Sequence, residues 1–159
     1  MEKPPGILLY FGRNDNVKAL RDALGQSGSF ICLDNLSGSE PAFIAASVLA
    51  GNEDNHLFVL RETEEAIYFF NDLEDLMPGR SIMYYPGLAK GAQRKDTESS
   101  NLLRKTEVLN AIRAGKGQII VAPAEALCEK VVSSEAIAEN TLEIKTGDKL
   151  SMDFVVELL

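Results

Sequence analysis

No tryptophan, one histidine and two cysteines among 159 residues leave this chain short of the side chains from which protein-built metal sites and nucleophilic triads are made. A zinc centre needs four protein ligands, or three and a water, and Cys32, Cys128 and His56 cannot supply a thiolate and imidazole set of that kind. The single imidazole, His56, opens the apolar run His56-Leu-Phe-Val-Leu60 at a predicted strand start, which argues against a Ser-His-Asp or Cys-His pair. Cys32 and Cys128 have no C-x-x-C spacing and lie within apolar stretches, so both are expected to be buried small hydrophobes in a reducing compartment. No apolar run approaches the roughly 18 residues of a membrane helix, and Glu2-Lys-Pro-Pro-Gly6 precedes only a five-residue apolar stretch, unlike a signal peptide. The expected location is cytoplasmic, with no membrane contact. Positive charge is also scarce. Sixteen Lys and Arg face 24 Asp and Glu, for a net charge of −8, and such a surface repels phosphate backbones. The one local exception is K-G-A-Q-R-K, in which Lys90, Arg94 and Lys95 form a candidate weak nucleic-acid patch that Arg104 and Lys105 could extend; the same run also reads as a solvated loop.

What is present is ordinary globular material, 45% apolar and 25% charged, enough for one domain with a real core or one domain and part of a second. Asn14 or Asp15 can cap a helix carrying Val17, Leu20 and Leu24, which Gly25 ends. Four short apolar runs follow, 30–33, 57–60, 82–85 and 119–122, continuous rather than alternating, as suits strands buried on both faces. Between them lie helical patterns over 40–50, 64–77 and 98–114, the second with Ala66, Ile67, Phe70, Leu73 and Met77 on one side. This order predicts an α/β fold, a mostly parallel sheet with helices on both faces. Residues 86–97 read as a loop. Beyond Val132 the rhythm changes to a polar connection, an alternating strand Thr141–Lys145 and a helix from Met152 to Leu159 that stops on its apolar face. We therefore expect a first domain over 1–132 and, over 133–159, the truncated start of a small α+β domain.

The most informative segment is Leu33-Asp-Asn-Leu-Ser-Gly-Ser-Glu-Pro-Ala42. It follows the predicted strand 30–33 and opens a helix, the context of a phosphate-binding loop. That loop, G-x-x-x-x-G-K-[ST], needs glycines so that backbone N–H groups can reach phosphate, a Lys for the β and γ phosphates, and a hydroxyl for Mg²⁺. Here Asn35 takes the first glycine, Glu40 the second, Pro41 the lysine and Ala42 the Ser or Thr, while Gly38 and Ser39 lie between. Glu40 would repel phosphate, and Pro41 removes both a charge and a backbone donor. The segment reads as a vestigial nucleotide loop, with no catalytic residue, metal or cofactor assigned to the chain. It also fits an ordinary strand-to-helix turn in which Ser39 caps the helix and Pro41 occupies its first turn.

Three stretches together resemble the UvrB-like N-terminal module of bacterial transcription-repair coupling factors, the Mfd family. They are N-L-S-G-S-E-P-A-F-I-A-A, where that family carries a degenerate Gly-Leu-x-Gly-Ser-x-x-Ala loop; Met83-Tyr-Tyr-Pro-Gly87; and Gln118-Ile-Ile-Val-Ala-Pro-Ala-Glu-Ala-Leu127 with Leu142-Glu-Ile-Lys-Thr-Gly-Asp-Lys-Leu150. Asn35 departs from the family's first Gly, and the sequence after Tyr85 lacks its W-E-x-x-P-Y-D type of loop. The resemblance implies a helicase-like first domain with a degenerate loop, then the start of the domain that docks the damage-recognition ATPase UvrA. It places the docking residues beyond Leu159, and the ATP-driven motor, the DNA contacts and the RNA polymerase contacts in other domains of the parent chain. The function expected is thus a non-catalytic module in transcription-coupled nucleotide excision repair. Two alternatives stay open: a nucleotide- or anion-binding domain using Ser37, Ser39 and the helix N-terminus, and a nucleic-acid-binding domain on the 90–105 basic patch.

Overall fold

The computed structural model describes residues 6–87, 94–115 and 117–130, with 94–99 given by their backbone alone. The chain divides into two compact units, Met1–Glu129 and Lys130–Leu159. The second unit, apart from Lys130, lies outside the described residues, and with it the expected boundary at Ser133, the strand Thr141–Lys145 and the helix from Met152.

The first unit opens with two helices, α1 (Gly6–Phe11) and α2 (Asp15–Leu24). The Asn14 side chain accepts the Asn16 N–H at 2.9 Å and starts α2, and Gly25 closes it, as the capping residues require. Helix α3 (Glu40–Leu49) leads to β1 (His56–Leu60), then α4 (Thr63–Leu76), β2 (Ile82–Tyr84), α5 (Arg94–Ala114), β3 (Ile119–Pro123) and the short α6 (Ala124–Leu127). The three strands are parallel in the order β1-β3-β2, with His56 and Ile82 both in register with Ile119.

The central strand β3 is buried throughout, which is why its sequence is an unbroken apolar run. Its alternating side chains divide the core. Ile119 and Val121 pack with α4 through Ala66, Phe69 and Leu73, and with α3 through Ala42, Ala46 and Leu49. Ile120 and Ala122 pack on the other face with Val108 of α5, Ala126 of α6 and Tyr85. Helices therefore lie on both faces of the sheet, as expected for an α/β domain. Among the described residues no helix is long and apolar enough to cross a membrane.

Four sequence expectations are corrected. The run Phe30–Leu33 is no strand: it carries no regular secondary structure, pairs with no strand among the described residues, and Phe30 is 95% exposed. Strand propensity is realised only where a ladder partner exists, and among the described residues this run has none. Strand β1 is not buried on both faces, since Leu57 and Val59 alternate outward. Among the described residues β1 is an edge strand with a helix layer only beneath Phe58 and Leu60. In α4 the expected Ala66 and Leu73, and Met77 just past its end, are buried and Phe70 is partly buried, but Ile67 is 42% exposed and the stripe also takes in Phe69 and Leu76. Both cysteines are exposed rather than buried. Cys32 belongs to the unpaired run, and Cys128 follows α6 at the margin of the core.

Candidate functional site

The segment singled out in the sequence lies at the N-terminus of α3, where its geometry is set by local hydrogen bonds. Asn35 and Gly38 both take the left-handed backbone region, with φ of 61° and 55°. Gly adopts it freely and Asn is among the few other residues that tolerate it. Ser39 occupies the N-cap position without a side-chain cap bond, and Pro41 sits in the first turn. The Glu40 carboxylate instead reaches back and accepts the Ser37 N–H at 2.9 Å. The Glu40 N–H donates to the Ser37 carbonyl, and those of Ala42 and Phe43 to the Ser39 carbonyl.

An anion docks at a helix N-terminus because the first-turn N–H groups lack partners there. Here two of those donors, the Glu40 and Ala42 N–H groups, are already used, a third is missing at Pro41, and a carboxylate lies among the preceding turns. Asn35 stands at a bend, Gly38 and Ser39 in a turn, and Glu40, Pro41 and Ala42 in the first turn of α3. The strand that should deliver the turn does not join the sheet.

Of the basic patch only part falls on described side chains. Lys90 lies outside the described residues. Arg94 and Lys95 belong to the first turn of α5, not to a loop. Lys105 is committed elsewhere, paired with Glu129 and placed 5.5 Å above the Tyr85 ring, with both charged side chains largely buried. Arg104 turns toward a polar recess of about 400 Å³ between α4 and α5, which it lines with Glu74, Glu107 and Tyr84. Burial is the main cause that pushes the Tyr84 hydroxyl above the ordinary tyrosine range; the Glu125 charge adds to it and Arg104 opposes it.

Sequence reasoning missed the polar closure at the carboxyl ends of the strands. There Thr63, opening α4, donates its hydroxyl to Glu125 Oε1 at 2.8 Å across 62 residues of sequence. A Cβ on Gly87 would come within 3.2 Å of the same oxygen. Asn101 Nδ2 donates to the Gly87 carbonyl at 3.0 Å. The carboxyl edge of a parallel sheet is where ligands usually enter an α/β fold, and here protein side chains bind one another in it. The only signal was a Glu two residues beyond an apolar strand.

At the opposite end His56 starts β1, its Nε2 3.2 Å from Asn52 Oδ1. Its pKa is lowered, chiefly by burial and further by Arg80, while Asp54 opposes the shift. No group of three or more His, Cys, Asp or Glu that could hold a metal ion occurs among the described residues. No family model matches the chain, and no curated protein matches it.

Proposed function

We propose that this chain is a non-catalytic α/β module of a transcription-repair coupling factor, UvrB-like in its fold, with a degenerate nucleotide loop and the start of a second, small α+β domain. It acts in transcription-coupled nucleotide excision repair, linking RNA polymerase stalled at DNA damage to the recruitment of UvrA. ATP-driven translocation along DNA belongs to other parts of the parent protein, and the setting is cytoplasmic. The observation that carries this reading is the Glu40 carboxylate seated at the head of α3, bonded to the Ser37 N–H where a functional loop would present donors to phosphate. Loss of the Lys and of the backbone donors removes charge-assisted contacts worth about 1.5 to 3 kcal/mol each.

The test has two arms. Calorimetric titration with Mg-ATP is expected to show no saturable binding below about 100 μM, roughly −5.5 kcal/mol, and such binding would overturn the degenerate-loop reading. Capture of UvrA by a version extended through the second domain, compared with residues 1–159, addresses the partner. Strong capture by the longer protein and weak capture by the shorter is the expected result. Equal capture by both would move the docking surface into 1–159, and capture by neither would remove the coupling reading.

A further inference from the structure

The stretch from β3 to the end of the first unit is held by polar contacts more than by burial. Of residues 124–129 only Ala126 is buried, while Ala124, Leu127 and Cys128 are exposed. Helix α6 has four residues, too few to keep its shape alone. The Cys128 and Glu129 N–H groups donate to the Glu125 and Ala126 carbonyls at 3.2 and 3.4 Å. A segment with one small apolar anchor belongs to the low-stability end of a fold.

Two acids four residues apart hold it down, each against a different helix. Glu125 Oε1 accepts the hydroxyl of Thr63, the first residue of α4. Glu129 pairs with Lys105 of α5, both side chains largely buried and the ammonium set over the Tyr85 ring. Helix α4 packs on the Ile119 and Val121 face of β3, and α5 on the Ile120 and Ala122 face. The segment therefore crosses the carboxyl end of the central strand and joins the helices of both faces. It also presses on the chain that leaves β2: a Cβ on Gly87 would lie 3.2 Å from Glu125 Oε1 and 3.3 Å from its Cγ.

These holds depend on one another, because the short backbone bonds of α6 are what present Glu125 to Thr63 and Glu129 to Lys105 at the same time. We propose that residues 124–129 are a clasp over the carboxyl edge of the sheet, which opens in one step ahead of the sheet, the Thr63–Glu125 bond and the Lys105–Glu129 pair breaking together. Glu129 is also the last residue of the first unit. A displacement of the chain there is thus felt at Thr63 and Gly87, and opening uncovers the place of Ala126 beside Tyr85 and Val108.

The test is amide hydrogen exchange, followed by NMR in low urea on the full 159-residue chain. In the unsubstituted protein the Cys128 and Glu129 amides should share one opening equilibrium, about tenfold or more above that of the β3 amides and less dependent on urea. Thr63→Val, Gly87→Ala and Lys105→Met act on three different elements. Each should speed both amides by about fivefold or more, and the factors for Thr63→Val and Lys105→Met should multiply in the double variant, since one opening breaks both contacts. The Gly25 amide, bonded to the Arg21 carbonyl at the end of α2, should stay within about twofold as a control. Two results would overturn the proposal. If Thr63→Val leaves the Glu129 amide within about twofold, the two acids hold independently and there is no clasp. If Cys128 and Glu129 exchange as slowly as β3 and with the same urea dependence, the segment opens only when the whole fold does.

Discussion

Leu73 and Ile67 stand on the same helix six residues apart, both apolar, and both belong to the stripe that sequence periodicity assigns to the core. In the structure Leu73 has no exposed surface and packs in the cluster that joins α4 to Ile119 and Val121, whereas Ile67 is 42% exposed. Truncating Leu73 to Ala removes buried methyl groups between a helix and a fully buried strand, where collapse around the cavity is limited. Such changes cost about 2.7 to 5 kcal/mol, and we expect about 3 to 4 here. Ile67→Ala gives up only the buried half of a side chain whose full burial is worth about 1.5 to 3 kcal/mol. It also recovers a few tenths through the better helix propensity of Ala, about 0.4 kcal/mol. The net cost should be about 0.5 to 1 kcal/mol. Urea unfolding followed by far-ultraviolet circular dichroism separates the two. With m near 1.5 kcal/mol/M, Leu73→Ala should lower the midpoint by about 2 M and Ile67→Ala by about 0.5 M. Equal losses, or a larger one at Ile67, would mean that α4 presents a different face to the sheet and that the core has been assigned to the wrong residues.

Thr63→Val removes the hydroxyl that bonds Glu125 while keeping the side chain's shape. A partly exposed bond to a carboxylate should cost about 1 to 2 kcal/mol, lowering Tm by about 3 to 8 °C, and an unchanged Tm would show that the contact does not tie the strand ends together. His56 has a pKa below its ordinary 6.5 in the folded protein, because burial disfavours the charged ring. The unfolded chain therefore binds the proton more readily, so stability contributed by the neutral ring is whole above about 6.5 and falls as pH drops through that value toward the folded pKa. The loss of urea midpoint between pH 7.5 and pH 5 should shrink in His56→Gln, and an identical loss in both proteins would remove His56 as its cause. Both thiols should react quickly with Ellman's reagent in the native protein, two equivalents per chain, because Cys32 and Cys128 are exposed. A slow phase that appears only in denaturant would refute that exposure.

Strictly local determinants are legible in the order of the residues. The Asn14 cap and the Gly25 stop of α2 depend on one side chain and one backbone conformation, and the sequence alone narrows the first to Asn14 or Asp15 and places the second. The unbroken I-I-V-A-P run is likewise read as a strand buried on both faces, and it is one, although the equally apolar L-F-V-L run of β1 is not. Substitution of Glu40, Pro41 and Ala42 for the glycine, lysine and hydroxyl of a phosphate loop is also a statement of residue types alone. That the Glu40 carboxylate turns back on the Ser37 N–H is not such a statement, because it depends on how Asn35 and Gly38 bend the chain ahead of it.

Tertiary structure decided the rest, through questions of neighbourhood. F-I-C-L at 30–33 and H-L-F-V-L at 56–60 look alike as apolar runs, yet only the second finds a ladder partner in β3. The first is left exposed. Which side of α4 is buried follows from where the sheet and α3 lie, and periodicity, which places Ala66, Leu73 and Met77 in the core, exchanges the exposed Ile67 for the buried Phe69. Lys105 is withdrawn from a basic patch only because Glu129 and the Tyr85 ring come to lie beside it, and Thr63 meets Glu125 across 62 residues. Sequence spacing carries hydrogen bonds and stripes within one element, whereas pairing between elements is settled only when the chain has closed on itself.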